Sequence, residues 1–278
     1  DINIDHLGHE RREVGGAAVA SGFAAAGSGA KTAVFCKLNP EEADLSERFD
    51  GIAADLYWKP SAHTCSIRNQ YFTADKEKRQ CTSLGVCDPF RFDELPDVKT
   101  AVYHFAGLVY GDFDGALLEE ASKHGKVALD VQCMLRHVEP DKSMAFHDWA
   151  EKKQYLPMID YLKTDAAEAE IMTGLTDRAA AARLLHEWGA REVVITHNTE
   201  VLAYDGETIY TCPIKARNLS GRTGRGDTTF AGYITERQHA SVEESLRYCT
   251  ALVSLKMETP GPFRGTREDV LEYMKAFY

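Results

Sequence analysis

The sequence predicts an α/β fold: a mainly parallel central sheet with helices on both faces and a small β lid. Three observations predict it. Short apolar runs recur along the chain, amphipathic segments that stop on glycine lie between them, and residues 58–92 break that rhythm with β-formers around a polar turn.

The strand-like runs are KTAVFCKL (31–38), KTAVYHFAGLVY (99–110), KVALDVQ (126–132), YLPMIDYLKT (155–164) and REVVITH (191–197). Each is apolar nearly throughout, as expected of strands covered on both faces. FDGALLEEASKHG, TDAAEAEIMTG and TDRAAAARLLHEWG end on Gly125, Gly174 and Gly189, and glycine just past the last turn is a usual helix stop. Strands alternating with capped helices indicate βαβ units. In residues 58–92 the turn TADKEKRQ reads as a hairpin, either structural trim or a lid. Beyond residue 226 two helical stripes follow, Phe230, Tyr233 and Ile234, then Val242, Leu246, Cys249 and Val253. Both read as core. No repeat or Gly/Ser-rich linker divides the 278 residues, so one domain spanning 1–278 with lid segments around 5–14 and 58–92 is expected.

Composition excludes several function classes. A formal charge of -11 argues against a nucleic-acid footprint, and no apolar run approaches the roughly 18 residues of a membrane span. Seven scattered cysteines without a CxxC pair suggest neither a disulfide framework nor a zinc ribbon. A reducing cytoplasm is the expected location. Asp1 shows no secretory signal and is expected just inside an element whose beginning is absent.

SGRTGRGDTTFAGY (220–233) carries the chemistry. A Walker A loop would need Lys and Ser/Thr where Asp227 and Thr228 stand, and a dinucleotide fingerprint would need glycine at Thr229. Arg-Gly-Asp as an adhesion tripeptide is a chance-level match. What fits is an anion hole made by Gly224, Arg225 and Gly226 at a helix tip, with Asp227 in the first turn as a base for a substrate hydroxyl. The plain alternative is an aspartate that only assists helix initiation.

RTGRGDTTFAGY followed by ESLRYCTALVSLKMETPGPF resembles the second signature of the ribokinase (PfkB-type) family of carbohydrate kinases. Other segments are similar to the family's in order: DINIDHL, VGGAAVA, LDVQCMLR, DAAE and VVITHN. The resemblance covers essentially the whole chain and implies a ribokinase-like fold and an ATP-dependent kinase acting on a sugar or small polyol. It implies Asp227 as catalytic base and Gly224, Arg225 and Gly226 around the donor phosphate. Asn3, Asp5, Gly15, Gly16 and Arg136 would hold the acceptor, with Asp130 matching in the same segment as Arg136. Thr196 and Asn198 would lie beside the nucleotide, and Glu168 would arrange Mg²⁺ through water. A homodimer through the lid is a further expectation. The sequence departs from the family at Ala20, Asp165, Gly221 and Arg225. Arg225 either stabilises transferred charge or faces solvent. A nucleoside kinase of the same fold and a non-catalytic sugar- or nucleotide-binding relative remain alternatives.

Overall fold

The computed structural model describes residues 1–73 and 79–278. The chain opens on β1 (Ile2–Ile4), β2 (Glu10–Arg12), α1 (Gly16–Gly27), β3 (Thr32–Leu38) and β4 (Ala54–Pro60), then β5 (Ser66–Tyr71) and β6 (Arg79–Gly85). β1, β2, β5 and β6 make a sheet of their own in the order β2-β1-β5-β6, while β3 and β4 pair in parallel. The expected hairpin is β5–β6, paired from Ile67 opposite Ser83 to Tyr71 opposite Arg79. Residues 74–78 of its turn lie outside the described residues. The β2-β1-β5-β6 sheet takes in less of 58–92 than the sequence reading, because Trp58–Pro60 belong to β4 and are drawn to β3.

β7 (Val102–Phe105), α2 (Gly115–Ser122), β8 (Lys126–Asp130), α3 (Gln132–Leu135), β9 (Arg136–Val138), β10 (Met144–Phe146) and α4 (Lys152–Tyr155) come next. They lead into β11 (Tyr161–Asp165), α5 (Ala166–Thr173), α6 (Arg178–Glu187), β12 (Glu192–Thr196), β13 (Glu200–Tyr204) and β14 (Ile209–Pro213). α7 (Arg225–Glu236), α8 (Val242–Met257) and α9 (Arg267–Phe277) close the chain. The main sheet runs β14-β13-β12-β11-β8-β7, with β7, β8, β11 and β12 parallel and β13 and β14 antiparallel.

Strand alternation divides the core. Val127 and Leu129 of β8 pack with Leu118, Leu185 and Val193 on one face. Ala128 between them packs with Phe230, Tyr233 and Leu246 on the other. Both faces are therefore covered, which is why these strands read as unbroken apolar runs.

Three elements differ from expectation. Of the 155–164 run only 161–164 is strand, the start of β11, and Leu156–Met158 is a 3-10 turn around Pro157, which has no N–H to give a ladder. The β13–β14 hairpin was not anticipated, although Asp205-Gly206 marks its turn: Asp205 Oδ1 accepts from Glu207 N and Thr208 N, and Gly206 has φ 98. α9 was also missed despite its capping box of Thr266 and Asp269. No helix among the described residues is long and apolar enough to cross a membrane.

Candidate active site

α7 begins where the chain leaves a tightly held loop. Gly224 is its N-cap, in the left-handed region at φ 77, and no side chain caps the helix there. The first-turn amides of an α-helix have no partner within the helix and carry its positive end. The tip is thus open to an anion.

Lys256 fixes the loop. Only 3% exposed, its ammonium donates to Gly221 O at 2.6 Å and to Thr223 O. Burial pulls its pKa down to about 8, against the pull of Asp227 and Glu13. Gly221 N donates to Met257 O at 2.7 Å, and a Cβ on Gly221 would stand 1.9 Å from Thr259 O. No side chain fits at 221, which accounts for that departure from the family signature. A Cβ built on Gly224 would lie 3.0 Å from the Ala20 methyl. Gly224→Ala should accordingly lose about 1–2 kcal/mol for its forced left-handed backbone. A raised KM for the phosphoryl donor at unchanged circular dichroism is the measurement that checks it.

Behind the tip lies a buried charge cluster. Asp130 and Lys163 are direct partners in the parallel β8–β11 register. Lys163 Nζ stands 3.0 Å from Asp130 Oδ2 and 3.6 Å from Glu168 Oε2, all three side chains being 4–5% exposed. Burial works against the Lys163 charge, yet Asp130, Glu168, Asp165 and Asp227 outweigh it and hold its pKa above the usual lysine range. Glu168 and Asp165 form a capping box: Glu168 N donates to Asp165 Oδ1 at 2.8 Å and Asp165 N to Glu168 Oε2 at 2.7 Å. Burial pushes Glu168 up to about 7.

The cluster reaches α7 directly. A Cβ on Gly226 would lie 3.2 Å from Lys163 Nζ, so this glycine lets the ammonium approach the back of the helix tip. Asp227 follows, its pKa pushed up to about 6 by burial and by the Asp130 carboxylate, with Lys163 and Arg136 pulling it back. Ser21 Oγ of α1 donates to Asp227 O at 3.4 Å.

The remaining predicted residues divide into two groups. Arg136 is 6% exposed, donates through Nη2 to Gln132 Oε1 at 2.7 Å, and stands where Asp130, Glu168 and Asp227 feel its charge. Arg225 opens α7 and its charge reaches His197, which places it toward the end of β12. Thr196 is buried with its hydroxyl turned to Thr164 O at 3.4 Å, while Asn198 is exposed in the turn after β12.

Gly15 and Gly16, at the start of α1, line a cavity of about 1320 Å³ together with Asp1 and Glu13. That cavity runs between β3 and β7 and does not include Asp227. Asp130, Lys163 and Glu168 are not on its wall either. Asn3 lies in β1 of the β2-β1-β5-β6 sheet, donating to Glu13 and accepting from Asn69. Asp5 is not on the cavity wall: its carboxylate closes its own exposed turn, accepting from Leu7 N and His9 N and meeting the His9 ring at 3.0 Å. Asp1 stands on the wall instead, with Oδ1 accepting from Ile67 N and Oδ2 3.7 Å from the Cβ position of Gly15.

Lys163, Lys256 and Asp1 were not anticipated as site residues. Lys163 carried a signal, since a lysine inside an otherwise apolar strand must be paired when buried.

A helix tip poised for an anion, beside a carboxylate and backed by paired buried charges, defines the fold and site of a ribokinase-like phosphotransferase. The chain belongs to the pfkB family of carbohydrate kinases, whose family model matches residues 4–267. A pyrophosphate-dependent kinase of the ribokinase family, solved with a pyrophosphate analog and myo-inositol, superposes with TM-score 0.89 at 28% identity. It covers 98% of this chain and 96% of its own. Ribokinase of Arabidopsis thaliana, solved with ribose and ATP, superposes with TM-score 0.76 at 17% identity, covering 99% and 95%. Cytidine kinase of Thermococcus kodakarensis is 35% identical over 85 residues, 30% of this chain and 31% of that protein. The match therefore spans less than a third of that relative's length.

Proposed function

We propose that the protein transfers a phosphoryl group from a polyphosphate donor to a hydroxyl of a sugar or sugar-like polyol, with Asp227 as general base. The observation that carries this reading is the placement of Asp227 one residue past Gly226, at an open helix tip and within the field of Lys163 and Arg136. The carboxylate takes the acceptor proton as its oxygen attacks, and the tip amides receive charge on the transferred group. Little covalent help is required, so positioning supplies the catalysis.

ATP is the donor in the first reading. A second reading, pyrophosphate, is favoured by the structure at 28% identity, named for that dependence. Magnesium fits the donor set through water: Asp165 and Glu168 offer hard carboxylate oxygens beyond those engaged in their capping box. Bound there, it would neutralise charge on the donor phosphates. Lys163 already compensates part of the acidic cluster, and its own contribution is to hold Asp130 and Glu168 in place. The lid sheet would exclude water from the transferred group.

A coupled assay over sugars, cyclitols and nucleosides, each with ATP or pyrophosphate plus Mg²⁺, tests the proposal. Turnover of a polyol is expected. Preference for nucleosides would move the acceptor to the nucleoside class, and ligand binding without turnover would defeat the catalytic reading.

The base sets a pH limb. Because Asp227 accepts a proton only when ionised, kcat should climb about tenfold per pH unit below about 6 and level above it. Asp130→Asn removes a charge that raises Asp227, so the midpoint should move to lower pH. A pH–rate profile that moves upward, or stays fixed, would detach the limb from Asp227.

A further inference from the structure

We propose that Cys65, Cys87 and Asp112 form a binding site for a thiophilic divalent cation of the zinc type, separate from the phosphotransfer site. Two thiol sulfurs and a carboxylate oxygen, one from each residue, lie within 4.8 Å of one another. Tetrahedral zinc, holding sulfur at about 2.3 Å and oxygen at about 2.0–2.2 Å, sets neighbouring ligand atoms roughly 3.5–3.8 Å apart. Closing on an ion asks for about an ångström of side-chain movement.

The residues come from the β4–β5 connection, the strand exit after β6 and the turn after β7, so their sequence spacing shows no metal pattern. The fold braces them together. Asp88 N donates to Ser61 Oγ at 2.8 Å, Phe90 N to Asp112 O at 2.9 Å, and Lys37 Nζ to Pro89 O at 2.8 Å.

Asp112 separates this cluster from a chance meeting of thiols. It is 3% exposed, and its Oδ2 accepts from Leu108 N at 2.6 Å and Val109 N at 3.1 Å. Its Oδ1 is buried with no hydrogen-bond partner among the described residues. One oxygen supported by backbone amides and the other left bare is the arrangement of a metal-binding carboxylate with its outer support.

Protonation agrees with this assignment. The hydrogen bond with Cys87, burial and the Asp112 carboxylate all push the Cys65 thiol far up, and burial raises Asp112. A cation bound there would displace the Cys65 thiol proton. Two sulfurs select a thiophilic ion over magnesium. All three residues line the cavity between β3 and β7, which supplies an entry path and leaves a fourth coordination position for water or a small ligand.

Cobalt(II) titrated into the reduced full-length chain should bind one equivalent, give thiolate-to-metal charge-transfer absorption, release protons and be displaced by zinc. Cys65→Ser, Cys87→Ser and Asp112→Asn should each weaken binding roughly tenfold or more, whereas Cys212→Ser, remote in the core, should not. Absence of the charge-transfer band overturns the proposal, as does its survival in Cys65→Ser or Cys87→Ser. So does a Cys65–Cys87 disulfide in protein purified without oxygen. Should Asp112→Asn fail to fold, X-ray absorption of the zinc-loaded wild-type chain decides, and a shell without sulfur overturns the site.

Discussion

Asp227→Asn should lower kcat on the order of 10²–10⁴-fold, the range of a removed general base, while leaving KM for donor and acceptor near their wild-type values. Asparagine keeps the size and polarity of the side chain but cannot take the acceptor proton. The helix tip is untouched, since Gly224 and Gly226 form it and Lys256 holds the loop before it. A second readout distinguishes this from general damage. Asp130 and burial both disfavour the Asp227 charge, so the neutral variant should unfold at slightly higher denaturant, not lower. Steady-state kinetics and a urea melt on the same preparation check both halves. Retained turnover would remove Asp227 from the reaction.

Lys163→Met should destabilise the fold by about 3–5 kcal/mol, the cost of breaking a buried ion pair from one side. The cause is the company it leaves behind. Asp130 and Glu168, each nearly inaccessible, would keep two negative charges with no cation between them. The sign with pH follows. Without Lys163, burial would lift Glu168 still further above its unfolded value, so the unfolded chain binds fewer protons there and the variant loses stability as pH rises. Its deficit relative to wild type should shrink in acid. Chemical denaturation at several pH values measures this, and a loss below about 1 kcal/mol would mean the pair contributes little beyond what its surroundings supply.

How far the site could be read from sequence depends on how local each residue's role is. The helix start that carries Gly224, Gly226 and Asp227, whose role in the reaction is the proposal made above, was legible because such a start is written within a few residues, and the Walker and dinucleotide alternatives fail on specific positions. Lys163 was not, because its partner Asp130 is set by the parallel β8–β11 register, which no short window contains. Asp5 illustrates the limit of a local pattern. Asp1, Asn3 and Asp5 fall on one face of a strand, so alternation alone cannot say which meets the cavity. The answer lies in β1 pairing with β5, which places Asp1 at Ile67 N and leaves Asp5 in the turn. The central strands followed from their apolar runs, whereas the β13–β14 hairpin was overlooked despite an Asp-Gly turn that announced it.

α7 is gripped on every side. Phe230 and Tyr233 enter the core beneath the main sheet, Ala231 meets the cluster of α8 and α9, and a Cβ on Gly232 would stand 2.5 Å from Leu252 Cδ2. Such a pedestal cannot swing or slide without unpacking two hydrophobic interiors at once. On the proposed reading the phosphate end would be the stationary jaw, and any hinge motion during turnover would fall to the outlying sheet of β2, β1, β5 and β6.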